Sequence, residues 1–325
     1  MTLIYGIHTQ VGVYLAADLR LTLTDVSGQK RFEDDFCKYM TIGKHMHLVA
    51  AGDANFASYL VRKILGSDLV NLSFVEFKDK VSDFIKSESG LYPEIHKAKP
   101  VVFIFAGTDP TKKEVMSMDR MIEKIQIMQG DTNASVPAHL SKPLREAMYK
   151  ASLAEKKGMD LELDKPLVSL FALEIIPSSS GINIRLTEGG WGTYIMYGPN
   201  GLRAEDAPPE LAIKLDLAQR PKGETGEDMI HRHSLELIKF FRKMITDLQL
   251  ETVGGSILTL WVTEHGASVI AGDTIAFDRA KAEVVFTNCI TTQDGKFCTK
   301  IDGKITPMRS LLNIGSPTEK TSLEI

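Results

Sequence analysis

Over the first 52 positions, apolar residues arrive in bursts of strand length. Met1-Thr2-Leu3-Ile4-Tyr5-Gly6 and Val11 through Arg20 form one pair of bursts. Lys38 through Gly43 and His47 through Gly52 form another. The breaks hold His8-Thr9-Gln10, Gly28 and Gly43-Lys44, so the pattern predicts four short strands in two hairpins, with a loop between Asp18 and Lys38. A strand that starts at residue 2 pins the beginning of the chain into a sheet. The period then turns helical. Ala54 to Leu65 places Phe56, Tyr59, Leu60 and Ile64 on one face, with Gly66 as the stop. Ser73 followed by Glu76 is a capping box, and it opens a helix striped by Phe74, Phe77, Val81, Phe84 and Ile85 that ends at Gly90. Pro100 to Gly107 predicts a buried strand, Thr108 to Lys113 a turn, and Glu114 to Met118 the returning partner.

Further along, Ile125 to Gly130 reads as a strand into a turn and Lys142 to Lys157 as a helix with a solvated, charged face. Pro166 to Ile176 and Ile182 to Leu186 flank a Ser178–Gly181 turn, and Thr193 to Tyr197 follows. The 101–118 and 166–200 stretches compete for one place in the sheet. The first follows the second helix directly, which makes 166–200 part of an insertion at about 120–220. Gly189-Gly190-Trp191-Gly192 lacks the Gly-Lys-Ser/Thr ending of a phosphate loop and reads as a strand connection. Pro208-Pro209 opens a helical stretch to Gln219. Glu227 to Leu248 is the strongest helix, with Ile230, Leu235, Ile238, Phe241 and Ile245 on a broad apolar face. Gly254-Gly255, a strand to Val262 and a Glu264-His265-Gly266 turn come next. Beyond Phe277 lies an extension with a hairpin of Val284–Cys289 and Lys296–Ile301, and the polar tail from Asn313 is expected to be loose.

Composition narrows the function. The chain has 325 residues, 43% hydrophobic and 25% charged, which is an ordinary soluble profile with room for one large or two modest domains. A net charge of −4 argues against a nucleic-acid partner. Without an apolar run of 18 residues or a basic-then-apolar start, neither a membrane span nor a secretory signal is expected. Three cysteines, Cys37, Cys289 and Cys298, give no disulfide framework and fit a reducing, cytoplasmic setting. Cys37 beside Lys38 has the cationic neighbour that lowers a thiol pKa. The commoner state of a free cysteine is a small buried residue. His231-x-His233 cannot share a helix face. His45-x-His47 can share a strand face but lacks a third ligand, so no metal or other cofactor is expected.

Thr2 has a chemical opportunity. Methionine ahead of a small residue is commonly removed in cells, which leaves Thr2 with a free α-amine beside its hydroxyl. A hydroxyl needs an adjacent base to be a nucleophile. An α-amine, with a pKa of roughly 7.7–8.0, is partly neutral near pH 7 and can serve.

Here the chain resembles the proteasome β-subunit family of N-terminal-nucleophile hydrolases. Thr2 opens the first strand. Ala16-Ala17-Asp18-Leu19-Arg20 is similar to the family's Ala-Ala-Asp-Ser-Arg. Lys38-Tyr39-Met40-Thr41-Ile42 is similar to its lysine and following strand, and Ala50-Ala51-Gly52-Asp53-Ala54 to its Ala-Gly-x-x-Ala turn into a helix. The start looks most like the bacterial branches, the heat-shock two-tier protease and the ancestral-beta-subunit (Anbu) group. The resemblance implies an α+β, four-layer αββα sandwich over residues 1–276 with the insertion, and a C-terminal extension over 277–325. It implies a threonine peptidase or amidohydrolase acting on a peptide or amide substrate. Thr2 is then nucleophile and base, Lys38 the activating cation, Asp18 its orienting partner and the Gly52 N–H the oxyanion donor. It further implies a homo-oligomer and an ATPase or activator partner. The chain departs from the family before Gly254, where an aspartate and a serine are usual and Leu250-Glu251-Thr252-Val253 stand instead. A Ser-Gly-Ser-like turn is also missing, with Ser135 and Ser141 the nearest serines. A non-catalytic scaffold and a stand-alone amidohydrolase therefore stay open beside the peptidase.

Overall fold

The computed structural model describes residues 2–9, 12–25, 27–34, 36–116, 161–178, 181–189, 194–199, 203–204, 226–247, 253–254, 257–263, 265–271, 273–278, 283–293, 296–301, 304–314 and 322–324. The first third of the chain forms β1 (Ile4–Thr9), β2 (Gly12–Asp18), β3 (Leu21–Thr24), β4 (Lys30–Glu33), β5 (Phe36–Cys37), β6 (Tyr39–Ile42), β7 (Met46–Gly52), α1 (Ala54–Leu65) and α2 (Phe74–Ser89). The middle forms β8 (Val101–Met116), β9 (Leu161–Ser178), β10 (Gly181–Gly189), β11 (Tyr194–Tyr197), β12 (Arg203–Ala204) and α3 (Gly226–Asp247). The last part forms β13 (Ile257–Thr263), β14 (Gly266–Ala271), β15 (Asp273–Asp278), β16 (Glu283–Gln293), β17 (Lys296–Ile301), β18 (Lys304–Pro307), β19 (Arg309–Ser310) and β20 (Ser322–Glu324).

Strands dominate this mixed α/β chain. One sheet runs β12-β11-β1-β2-β13-β14 and another β10-β9-β8-β7-β6. β1, β2, β7, β11 and β13 are buried almost throughout, so they read as apolar runs more than as alternation. Ile4, Val13, Leu15 and Ala17 of the first sheet share a core with Val49, Ile104, Leu170 and Ala172 of the second. On its other face the second sheet packs Leu48, Phe103, Phe105 and Phe171 against Phe56, Leu60 and Ile64 of α1 and Phe77, Val81 and Ile85 of α2. The far face of the first sheet packs Tyr5, Ile7 and Tyr14 against Leu237, Ile238 and Phe241 of α3. The helix starts are built as the sequence predicts. Asp53 caps α1 by accepting the Asn55 and Phe56 N–H groups, and Ser73 with Glu76 closes a full capping box on α2.

Four expectations are corrected. Residues 21–33 are a hairpin, β3 with β4, rather than a loop. Its second strand, Lys-Arg-Phe-Glu, is mostly exposed and carries no apolar burst. Residues 101–118 do not fold back on themselves. β8 continues to Met116 and pairs with β9, with register shifts at Asp109, Lys113 and Val115. Asp109 accepts the Thr111 N–H and hydroxyl within that irregular stretch, so the polar cluster makes a bulge and not a turn. The 166–200 stretch accordingly supplies strands to both main sheets. The tail is not loose where it is described: Ile314 is buried and β20 pairs with β3. β15 opens a four-stranded sheet, β15-β16-β17-β18. The expected elements at 125–130, 142–157 and 208–219 lie outside the described residues.

Candidate functional site

Pairing of β1 with β2 in the register Ile4↔Ala17 sets the residues at the strand ends, Thr2-Leu3 and Asp18, against each other. The Leu3 N–H donates to Asp18 Oδ1 at 2.9 Å, and the Asp18 N–H donates to the Leu3 carbonyl at 3.3 Å. Lys38 arrives from the other side, between β5 and β6, where its carbonyl accepts the Ala50 N–H at 3.1 Å. Its Nζ donates to Asp18 Oδ2 at 3.2 Å and to Thr2 Oγ1. The Arg20 and Gly254 N–H groups donate to the same Asp18 oxygen at 3.2 and 3.3 Å. One ammonium thus bridges the threonine hydroxyl and a carboxylate that backbone donors hold in place.

Burial sharpens the electrostatics. The Lys38 and Asp18 side chains are fully buried, and Thr2 is 2% exposed. Loss of water around the Lys38 ammonium brings its pKa down to about 8, with the Asp18 charge opposing the fall. Arg20 closes the rim. It pairs with both oxygens of Asp34 at 2.6 and 3.0 Å and lies 4.7 Å over the Phe32 ring. Its guanidinium sits so close to Gly254 that a Cβ there would come within 2.6 Å. Arg242, from α3, feels the charges of Asp18, Arg20 and Asp34, and burial lowers its pKa.

Thr2, Asp18 and Lys38 are therefore brought together. Gly52 lies at the end of β7 with φ of +112°, and a Cβ would meet the Pro100 carbonyl oxygen at 2.1 Å. Among the described residues no hydrogen bond joins Gly52 to Thr2. Ser135, Ser141, Glu251, Thr252 and Gly255 lie outside the described residues. Cys37 is buried, its thiol points at the Tyr39 carbonyl at 3.6 Å, and burial pushes its pKa up to about 12, the opposite of a reactive thiol. His47 is buried against Thr41, and desolvation brings it down to about 4. His233 bonds the Tyr14 hydroxyl at 2.9 Å. Sequence reasoning missed the Gly254 N–H, because a backbone donor leaves no residue signature. It also missed Arg242, which stands beside Lys243 within the largely apolar run Leu237–Ile245 of α3 and has no pattern that sets it apart. Arg20 was visible only as part of the Ala-Ala-Asp-Leu-Arg run.

No protein-family model matches the sequence, and no curated protein is found similar to it. Among solved structures, a Gly-1 mutant of Anbu from Hyphomicrobium sp. strain MC1 superposes with a TM-score of 0.39 at 12% identity, covering 87% of this chain and 90% of that one. Anbu (ancestral beta-subunit) from Yersinia bercovieri superposes with a TM-score of 0.38 at 10% identity, covering 83% and 87%. At TM-scores this low neither likeness bears on the chemistry.

Proposed function

We propose that the protein is a threonine-type N-terminal-nucleophile hydrolase that cleaves peptide or amide bonds, on a four-layer αββα sandwich. The observation that carries this reading is the Lys38 ammonium, which donates at once to Thr2 Oγ1 and Asp18 Oδ2 in a buried site. Removal of residue 1 supplies the α-amine. That amine takes the hydroxyl proton as Oγ1 bonds to the substrate carbonyl carbon. The Lys38 cation lowers the pKa of both groups, and Asp18 orients it and balances its charge. The Gly52 N–H is the proposed donor to the oxyanion. The proton passes to the leaving nitrogen as the amide bond breaks, and water then hydrolyses the ester to free Thr2. A homo-oligomer, and an ATPase or activator that feeds it, belong to the same proposal.

A second reading has one observation in its favour. Thr2, Asp18 and Lys38 are closed to solvent, as suits a non-catalytic scaffold. Turnover of a panel of fluorogenic peptides and small amides separates the two. Thr2→Ala and Lys38→Ala should each lose about 10²-fold or more in rate. The double variant should be no worse than either, because the residues act as a unit. Near-normal turnover by Lys38→Ala, in a variant with an unchanged circular dichroism spectrum, overturns the assignment.

A further inference from the structure

β5 is only two residues long, and the residue that follows it is Lys38. A strand this short is poorly fixed by its own pairing. Its sheet partner comes from the far end of the chain: β19 runs parallel to it, Arg309 opposite Phe36 and Ser310 opposite Cys37. The flanks of β19 are anchored in two different cores. Met308 is buried in the inter-sheet core that holds Cys37 and Tyr39, the residues on either side of Lys38. Leu311 and Ile314 are buried in the core under α1. The grip on this segment is made through backbone carbonyls. Ser58 Oγ donates to the Leu311 carbonyl at 2.6 Å. Arg62, one turn along α1, donates through Nη2 to the Leu312 carbonyl at 3.1 Å and to the Ile314 carbonyl. Arg309 pairs with Glu33 at 2.8 Å, and the Ser310 N–H and hydroxyl donate to Asn313 Oδ1 at 3.0 and 3.1 Å.

We propose that the segment Met308–Ile314 is a clasp, seated by Ser58 and Arg62, that positions Lys38 against Asp18 and Thr2. For its catalytic consequence this rests on the hydrolase reading; for its structural content it does not. Lys38 is a fully buried ammonium, and any loosening of β5 lets it swing toward water. The charged groups that act on it are Asp18 on β2, Arg20 just after β2 and Asp34 just before β5. The charge of Arg309 is taken up by Glu33. Unseating the clasp leaves that set in place and frees β5, so Lys38 should regain solvent and its pKa should climb toward the ordinary lysine value.

The full chain, labelled with ¹³Cε-lysine, tests this without any need for turnover. The Lys38 resonance is assigned by its loss in Lys38→Arg and followed against pH by NMR, beside hydrogen exchange of residues 309–314. The wild type should titrate near about 8. Ser58→Ala combined with Arg62→Ala should speed exchange of 309–314 by about tenfold or more and move the Lys38 titration up by about one pH unit. Leu311→Ala, which cuts the packing instead of the carbonyl bonds, should do the same. Fast exchange of 309–314 with an unmoved Lys38 titration overturns the positioning role. Undiminished protection of 309–314 in the double variant overturns the seating by Ser58 and Arg62. A wild type that turns over no peptide or amide, with the exchange and titration shifts as expected, counts against the hydrolase reading and leaves the clasp standing.

Discussion

A lysine held near pH 8 pulls stability and activity in opposite directions. In the unfolded chain lysine titrates at roughly 10.4, while folding brings Lys38 down to about 8. Between those values the unfolded chain binds more protons, so the Lys38 contribution to stability rises with pH through that window. Below about 8 the cost of burying the ammonium is fully present. The proposed turnover, in which the cation takes part, should fall over the same window. Thermal midpoints and initial rates in the same buffers from pH 7 to 10 check this, with Lys38→Met as the reference for stability. Turnover that stays level to pH 10 contradicts the cation role. Gly52 carries a simpler expectation. Its φ of +112° and the close Pro100 oxygen leave no room for a side chain. Gly52→Ala should cost more than about 1 kcal/mol in a urea titration. At this scale Thr2, Asp18 and Lys38 could be picked out together only through the resemblance that Ala16-Ala17-Asp18-Leu19-Arg20 and Lys38-Tyr39-Met40-Thr41-Ile42 carry, since the periodicity of the strands does not single them out. The donors to Asp18 from Leu3 and Gly254 could not be, since any residue there offers the same N–H.

Helices were the most legible elements. Ala54–Leu65 agrees end for end, and the Ser73–Glu76 box is formed. Caps act through a few neighbouring residues, so the local sequence contains their whole signal. Asp53 does more than cap: its second oxygen accepts the Lys99 N–H at 3.1 Å and so ties α1 to the strand that follows. Asp53→Ala should therefore fall at the upper end of the usual cap loss of about 0.5–2 kcal/mol, read by chemical denaturation. A loss below about 0.5 kcal/mol would show that water replaces both roles. Strand pairing was less legible because partners are chosen at a distance. The Thr108–Lys113 cluster has turn chemistry, yet the pairing of β8 with β9 carries the strand through it as a bulge. β4 is exposed and charged, and β19 and β20 are two and three residues long. None of the three has a pattern long enough to read.

At the scale of the whole chain, the C-terminal part returns to the beginning: β19 pairs with β5 and β20 with β3. Contacts between residues 250 or more apart leave no local trace, so these two pairings cannot be read from the sequence. No described helix is long and apolar enough to cross a membrane. The proposed homo-oligomer would be a closed symmetric assembly, the usual form for identical chains, with its threonines facing an inner chamber. Light scattering at micromolar concentration should give a mass several times that of the chain. A clean mass near 36.0 kDa would reject the chamber and leave a stand-alone amidohydrolase. The central claim, one residue acting as nucleophile and base, is tested most directly by the intact mass of protein that is turning over substrate. The account predicts a chain that starts at Thr2, with the transient acyl group on its N-terminal peptide. Full turnover by protein that retains Met1 would contradict it.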